Sequence, residues 1–378
     1  MKIVHICLTG VFTEGWTYQE NLLSKYHSKL GHDVTLIAST LCYDNNGEKS
    51  ITSKSAYKNQ DGVFIVRLEE KNGNPSGKFK RFPKLHETLT DIKPDIIFVH
   101  GCQFLDVRTI VDYKRKNRNV KIYVDNHADF SNSAKGFVSY HILHKMIWKR
   151  MAKKLEPYTE KFYGVMPSRV EFLKKMYGVA DSKIELLVMG ADDEKVKMAL
   201  KPDVRKTIRR KYGISESDFL IVTGGKIDNA KKQTLLLMDA VNKLGKAKLL
   251  VFGSVADELK TDVKRFCSHL VQYIGWVDSS KTDQYFAAAD LVVFPGRHSV
   301  FWEQVAGLGI PMMVKDWPGT HHIDLGGNVK YLEEDTVEEI ETKLKEIIKT
   351  DYERMKYVAQ EKAMKEFSYM EIAKRSIE

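Results

Sequence analysis

Two lysines five residues apart, Lys226 and Lys231, stand beyond an apolar run and a glycine pair in IVTGGKIDNAKKQTLLLMDAVNKL. The run reads as a strand and the following amphipathic stretch as a helix. Both cations then converge near a helix N-terminus, and Gly224 and Gly225 let a ligand approach the backbone. That combination would neutralise a diphosphate; its plain alternative is a pair of surface lysines in a lysine-rich chain. A second place of this kind is 291–311, LVVFPGRHSVFWEQVAGLGIP, where an apolar run feeds a Pro-Gly loop and a helix opens beside His298, Ser299 and Val300. Unpaired N–H groups and the positive end of the helix dipole make an anion site there, and Glu303 on the first turn suits sugar hydroxyls. The alternative is an ordinary strand–helix unit. His127 follows VKIYVDN and His100 ends DIIFVHG, so each sits where a strand gives way to a loop. A strand-end histidine satisfied by backbone groups is the alternative for both.

These residues need strand ends to present them, and the chain supplies the pattern. KIVHICLT, DVTLIAS, GVFIVRL, DIIFVHG and KIYVDNH alternate with amphipathic segments at 18–30, 82–92 and 106–116. Such alternation implies βαβ units and a parallel sheet covered on both faces, and the near-continuous apolar runs fit strands buried on two sides. A helical stretch over 140–155 and a short strand, FYGVMPS, complete the first half. After a charged, helix-prone connector at 195–212, strands DFLIVTGGK, AKLLVFGS, VQYIGWV, DLVVFPG and PMMVKDW repeat the theme, and two helical segments over 337–349 and 352–375 close the chain. The expected architecture is α/β, with two tandem Rossmann-like domains whose parallel sheets face a cleft. Ligands of such sheets bind beyond the carboxyl ends of the strands.

The chain has 378 residues, 43% of them hydrophobic, which is enough for two well-filled domains. No window approaches an uninterrupted apolar span of about 20 residues, which excludes a membrane-crossing helix. The N-terminus reads as a first strand and not as a secretion signal, so the cytoplasm is the expected location, extending to the inner face of the membrane. Four scattered cysteines, Cys7, Cys42, Cys102 and Cys267, lack zinc or redox spacing and read as packing residues. A net charge of +10 points to an anionic partner. Nucleic acid is disfavoured, because no binding motif appears and the basic residues spread over both halves. Between 145 and 175, nine Lys/Arg against three Glu are interleaved with Trp148, Tyr158, Phe162 and Phe172, a pattern suited to anionic lipid headgroups. A solvated helix face is the alternative. The adjacent His321 and His322 would diverge in a strand or helix, which argues against one metal between them.

The glycine pair with its basic residue, the lysine five positions on, and a later Glu-bearing helix with Gly-Ile-Pro beyond it resemble the family 4 retaining glycosyltransferases of GT-B fold. The likeness covers nearly the whole chain. EGWTYQENLLSKYHSKLGHDVTLI looks like that family's first glycine loop, helix and second strand, and MPSRVEFLKKMYGVADSKIELLVMGADDE resembles its approach to the interdomain linker. YIGWVDSSKTDQYFAAADLVVFPG and FSYMEIAKRSIE resemble its donor-loop approach and final helix. The resemblance implies an acceptor-side domain over 1–195, a donor domain over 196–355 and a C-terminal helix over 356–378 packing back on the first. It implies that Lys226 and Lys231 hold the donor diphosphate beside Gly225 and stabilise the departing group, that Glu303 binds ribose, that Gly15 lines the phosphate side, and that His127 faces the transferred sugar. The implied activity is hexosyl transfer with retention, from a nucleotide-diphosphate sugar, UDP favoured over GDP, to a saccharide or lipid-linked saccharide, as in surface polysaccharide synthesis. No metal or other cofactor is implied, in keeping with the lack of an Asp-x-Asp motif.

One departure stands out. The family carries two glutamates with seven residues between them, and Pro295 occupies the place of the first. Either His298 with the backbone N–H groups of Ser299 and Val300 takes over the sugar and phosphate contacts, or the donor differs. Two rivals stay open: a nucleotide-sugar 2-epimerase of the same shape, and a non-catalytic nucleotide-sugar-binding protein. Acceptor recognition is assigned to the polar loops at 40–61 and 71–82.

Overall fold

Runs of Val, Ile and Phe dictate the strands of the computed structural model, which describes residues 1–44 and 47–378. The chain divides into two units, Met1–Val188 with Ile372–Glu378, and Met189–Glu371.

The first unit contains β1 (Lys2–Cys7), β2 (Asp33–Ser39), β3 (Leu41–Tyr43), β4 (Lys49–Ile51), β5 (Ala56–Lys58), β6 (Phe64–Leu68), β7 (Ile96–His100), β8 (Lys121–Asn126), β9 (Lys161–Gly164) and β10 (Ile184–Leu186). Eight of these form one sheet in the order β10-β9-β8-β7-β1-β2-β6-β5. Only β5 runs antiparallel to its neighbour. Strand β7 is buried along its whole length and β1 at all positions but Lys2, as strands covered on both faces must be. The strand order reverses between β1 and β7, so the loops after Cys7 and His100 flank a crevice site. The antiparallel pair β3-β4 and strand β5 fall in the expected acceptor loop at 40–61, of which positions 45 and 46 lie outside the described residues.

The second unit holds β11 (Leu220–Gly224), β12 (Lys248–Phe252), β13 (Val271–Tyr273), β14 (Leu291–Phe294), β15 (Met312–Lys315) and β16 (Val329–Leu332). Their order, β13-β12-β11-β14-β15-β16, is wholly parallel and reverses between β11 and β14. That is the Rossmann order. Each unit has its own apolar core.

The division differs in detail from the sequence expectation of 1–195, 196–355 and 356–378. Residues up to Glu371 stay with the second unit because the chain around Ala191 pairs with them: Ala191 N–H donates to the Phe367 carbonyl (2.8 Å), Tyr369 N–H to the Ala191 carbonyl (3.3 Å), and Ser368 Oγ to Asp193 (2.5 Å). The connector at 195–212 is two helices, Asp193–Ala199 and Pro202–Lys211, because Pro202 starts a new helix at its first position. The aromatics expected on a lipid-facing surface are mostly interior: Trp148, Phe162 and Phe172 lie in the first core. Of the four cysteines, Cys7 and Cys102 pack inside, Cys42 is half-buried, and Cys267 is exposed just past the helix Lys260–Phe266. Among the described residues, no helix is long and apolar enough to cross a membrane.

Candidate functional site

At the reversal point of the second sheet, the loops after β11 and β14 enclose a recess lined by Thr223, Gly224, Gly225, Lys226, Lys231, Thr234, Phe252, Pro295, Gly296, Arg297 and Ser299. Backbone packing makes the glycines necessary. A Cβ at Gly224 would lie 2.2 Å from the Phe252 ring, and one at Gly253 would lie 1.9 Å from the Gly225 carbonyl oxygen. Gly225 and Gly253 adopt φ of +125° and +127°, a region that favours glycine. The loops are stitched together by Gly225 N–H to the Phe252 carbonyl (3.1 Å) and Ile227 N–H to the Ser254 carbonyl (2.8 Å).

Three cations line this recess. The ammonium of Lys226 is largely exposed, 3.4 Å from Asp228. Burial lowers the Lys231 pKa, Asp228 opposes the shift, and the nearby Arg297 guanidinium adds to it. A partly desolvated lysine beside a second cation attracts an anion more strongly than an exposed one, because less water competes. The Arg297 guanidinium also lies over the Trp317 ring, 5.8 Å from its centroid. The arrangement suits a compact polyanion against glycine backbone, and a diphosphate has that charge and size.

Beside the recess, Ser299 and Val300 lead into the helix Phe301–Gly307. Glu303 is fully buried, and its Oε1 accepts from His298 Nε2 (2.9 Å) and His322 Nε2 (3.0 Å). Burial alone would raise the Glu303 carboxyl, but the two imidazoles outweigh it and hold the pKa at about 2. Its other oxygen, Oε2, is buried without a hydrogen-bond partner. His321 instead bonds Asp316 (2.6 Å), so the adjacent histidines diverge as their spacing requires. His298, Val300 and Glu303 do not line the recess itself.

Gly15 and His127 belong to the first unit. Gly15 is exposed, with φ +77°, in the loop before the helix Gln19–Lys29. His127 follows β8 and is partly exposed, its Nε2 3.4 Å from Asp125 Oδ1. Asp125 is fully buried, and its Oδ2 accepts from His100 Nδ1 at 2.7 Å. Burial alone would raise the Asp125 carboxyl, yet His100 and His127 hold it far below the usual carboxylate range. His100, Asp125 and His127 each offer one ligand atom within 4.8 Å of the other two, a grouping that could ligate a cation. The 2.7 Å contact, however, puts a proton between His100 and Asp125, where a cation would need both lone pairs.

The structure therefore brings Gly225, Lys226, Lys231 and Ser299 together in one recess and joins His298 to Glu303 in a second cluster. Arg297 belongs to the loop after Pro295, next to His298 and Ser299, where the departure from the family pattern places donor choice. His322 was not foreseen as a site residue, and the sequence offered no signal of its contact with Glu303.

Residues 218–349 match the family model of glycosyl transferases group 1. Among curated proteins none matches the sequence significantly. Solved structures similar to the whole chain include a glycosyltransferase from Rickettsia africae, with TM-score 0.66, 14% identity, and 100% of this chain and 96% of that one covered. Anabaena Alr3699/HepE in complex with UDP is similar with TM-score 0.67 and 14% identity over 99% and 98% of the two chains. A UDP-GlcNAc 2-epimerase from Neisseria meningitidis bound to UDP-GlcNAc follows with TM-score 0.63 and 11% identity over 100% and 98%. The chain thus has the GT-B fold, and the residues that match the group 1 glycosyl transferase model lie in its second unit.

Proposed function

We propose that the protein is a retaining hexosyltransferase of the family 4 type that moves a sugar from a UDP-sugar to a saccharide acceptor. The observation that carries this reading is the recess at the strand-order reversal, where Lys226, Lys231 and Arg297 surround a glycine backbone loop within the domain that matches the glycosyltransferase model. Lys226 and Lys231 with the Gly225 backbone would bind the donor diphosphate and stabilise it as it departs, with no metal required. Glu303 has one carboxylate oxygen, Oε2, left for a ribose hydroxyl, and His298 with the N–H groups of Ser299 and Val300 replaces the acidic residue that Pro295 displaces. In the first unit, Gly15 lines the phosphate side and His127 faces the sugar. Retention would follow from front-face attack, a donor phosphate oxygen helping to accept the proton of the incoming hydroxyl.

The acceptor in this reading is a lipid-linked saccharide of a surface polysaccharide, met at the cytoplasmic membrane face. An exposed stripe on one helix supports that placement: Phe137, Val138, Ile142 and Met146 are exposed beside Lys145, Lys149, Arg150 and Lys153. Apolar residues flanked by cations on one helix suit an anionic bilayer surface.

The deciding experiment is calorimetric titration with UDP, GDP and their common sugar conjugates, followed by product analysis with and without acceptors. Saturable UDP-sugar binding and sugar transfer with retained anomeric configuration are expected. An epimerised nucleotide sugar formed without acceptor would replace this reading by the epimerase, and binding with no turnover on any acceptor would replace it by a non-catalytic protein.

A further inference from the structure

Four buried side chains of the first unit, His27, His5, His100 and Asp125, stand in single file. His27 Nε2 lies 3.0 Å from the Ala373 carbonyl oxygen and 3.0 Å from Ser376 Oγ, and Ser376 Oγ itself donates to that carbonyl at 2.8 Å. His27 Nδ1 is 2.9 Å from His5 Nε2, His5 Nδ1 is 3.0 Å from His100 Nε2, and His100 Nδ1 is 2.7 Å from Asp125 Oδ2. The rings of His5 and His100 are nearly coplanar, 13° apart with centroids at 5.2 Å, so they meet edge to edge along the nitrogen lone pair.

With the Ala373 carbonyl as the partner of His27 Nε2, the proton positions follow in order along the file. A carbonyl oxygen only accepts, so His27 carries its proton on Nε2 and its Nδ1 is an acceptor. His5 must donate through Nε2 and accept at Nδ1. His100 must donate through Nε2. At the far end the contact between His100 Nδ1 and Asp125 needs one more proton, and imidazole is intrinsically more basic than carboxylate. His100 therefore holds both protons and Asp125 is ionised.

The charged and titratable surroundings agree. Burial alone would lower His100, but Asp125, with Glu20 of the first helix adding to it, raises its pKa. Burial lowers His5, with His27 and His100 adding to the effect and Asp125 opposing it. Burial likewise lowers His27 to about 4, opposed by its bond to Ala373 and assisted by His32 and His100. Extra protons on the first two members of the file are thus disfavoured.

We propose that this file is a proton-locked positioning relay in which the Ala373 carbonyl of the C-terminal segment fixes the tautomers of His27 and His5, places both protons on His100, and so holds Asp125 as a carboxylate whose charge, 3.4 Å from His127 Nε2, draws the proton of that imidazole to Nε2 and orients the ring. His127 Nε2 and Asp125 Oδ1 are buried, face each other at 3.4 Å as an ion-pair contact, and make no hydrogen bond to any other group or to one another. His127 Nδ1 is left to accept from a ligand hydroxyl, a step that rests on the reading of His127 as facing the sugar. Residues 373–376 thereby act on His127 through three imidazoles and a carboxylate.

The test is long-range 15N–1H correlation spectroscopy on the full chain labelled at its 12 histidines, assigned with His27→Phe and His100→Gln. In the wild type at pH 7, His27, His5 and His127 are expected as Nε2–H tautomers and His100 as doubly protonated. A singly protonated His100, or Nδ1–H on His27, overturns the relay. In folded His27→Phe, His5 loses its acceptor and is expected to populate both tautomers; an unchanged His5 overturns the lock. His100→Gln is expected to release the His127 tautomer and lower kcat about tenfold, with the donor KM within about twofold. A fall in kcat with His127 unmoved would reduce His100 to a structural role and overturn its positioning one. Failure of the wild type to transfer sugar would sink the functional reading and leave the tautomer measurements standing.

Discussion

At the scale of single residues, the recess separates two lysines that look equivalent in the sequence. Lys226 is open to water and paired with Asp228, whereas Lys231 is partly desolvated beside Arg297. Removing a charge-assisted contact costs about 1.5–3 kcal/mol, so Lys231→Ala is expected to weaken UDP binding about 10- to 100-fold in calorimetric titration. Lys226→Ala is expected to weaken it less and to act mainly on turnover, because water already screens its charge in the ground state. Equal effects of the two on Kd would contradict the distinction. Gly253 makes a different point: its absent side chain gives the Gly225 carbonyl its place, with a Cβ only 1.9 Å from that oxygen. Gly253→Ala should lower Tm by several degrees, a cost of about 1–3 kcal/mol for strain and overpacking, and should weaken UDP binding. Wild-type values of both would show that the loop relaxes freely. The lysine pair was legible because its spacing is local. The histidine file was not, since its members meet across separations of 22, 95 and 346 residues that no sequence periodicity records.

At the scale of elements, the strands were legible wherever an apolar run exceeded about four residues, because such runs need cover on both faces. Strands β3, β4 and β5 are three residues each, too short to show alternation, and the region read as polar loop. The helix that includes Ile142 and Met146 was foreseen from 140 onward, but its outward side was not: three of the four aromatics counted for lipid contact are core residues, and the exposed stripe, with Phe137 and Val138, lies on the preceding turns. Phe137→Ser with Ile142→Ser should abolish retention on vesicles rich in anionic lipid at low salt while leaving UDP affinity intact. Retention equal to wild type would remove that helix from the membrane reading. The buried histidines also give the first unit a defined response to acid. The folded pKa of His27 is near 4 against an ordinary 6.5, so the unfolded chain binds more protons between those values and stability falls as pH drops through that window. The full effect is about 3 kcal/mol from this residue. His100 acts in the opposite sense, its raised pKa giving stability that is complete below about pH 6.5 and is lost as pH climbs through the raised value. Denaturant midpoints at pH 7 and pH 4.5 should show the loss, and His27→Phe should flatten it.

For the molecule as a whole, two Rossmann-like sheets were legible because alternating strand and helix signals leave few topologies, and the reversal of strand order then locates each crevice. The family-model match confines itself to residues 218–349, the unit that holds the cationic recess, while the histidine file lies entirely in the other unit. Ligand and proton should therefore act on different cores. UDP at about 100 times its Kd adds about 2.7 kcal/mol to whatever cooperative unit binds it. Acid subtracts from the unit that contains His27. Differential scanning calorimetry at pH 7 without ligand, and at pH 5 with saturating UDP, is expected to turn one broad transition into two, the lower set by pH and the upper by UDP concentration. Hydrogen exchange would assign the lower one to β1, β7 and β8 and the upper to β11, β12 and β14. A single transition that moves with both variables would mean that the two cores melt as one cooperative body, and the separation of proton and ligand responses would fail with it.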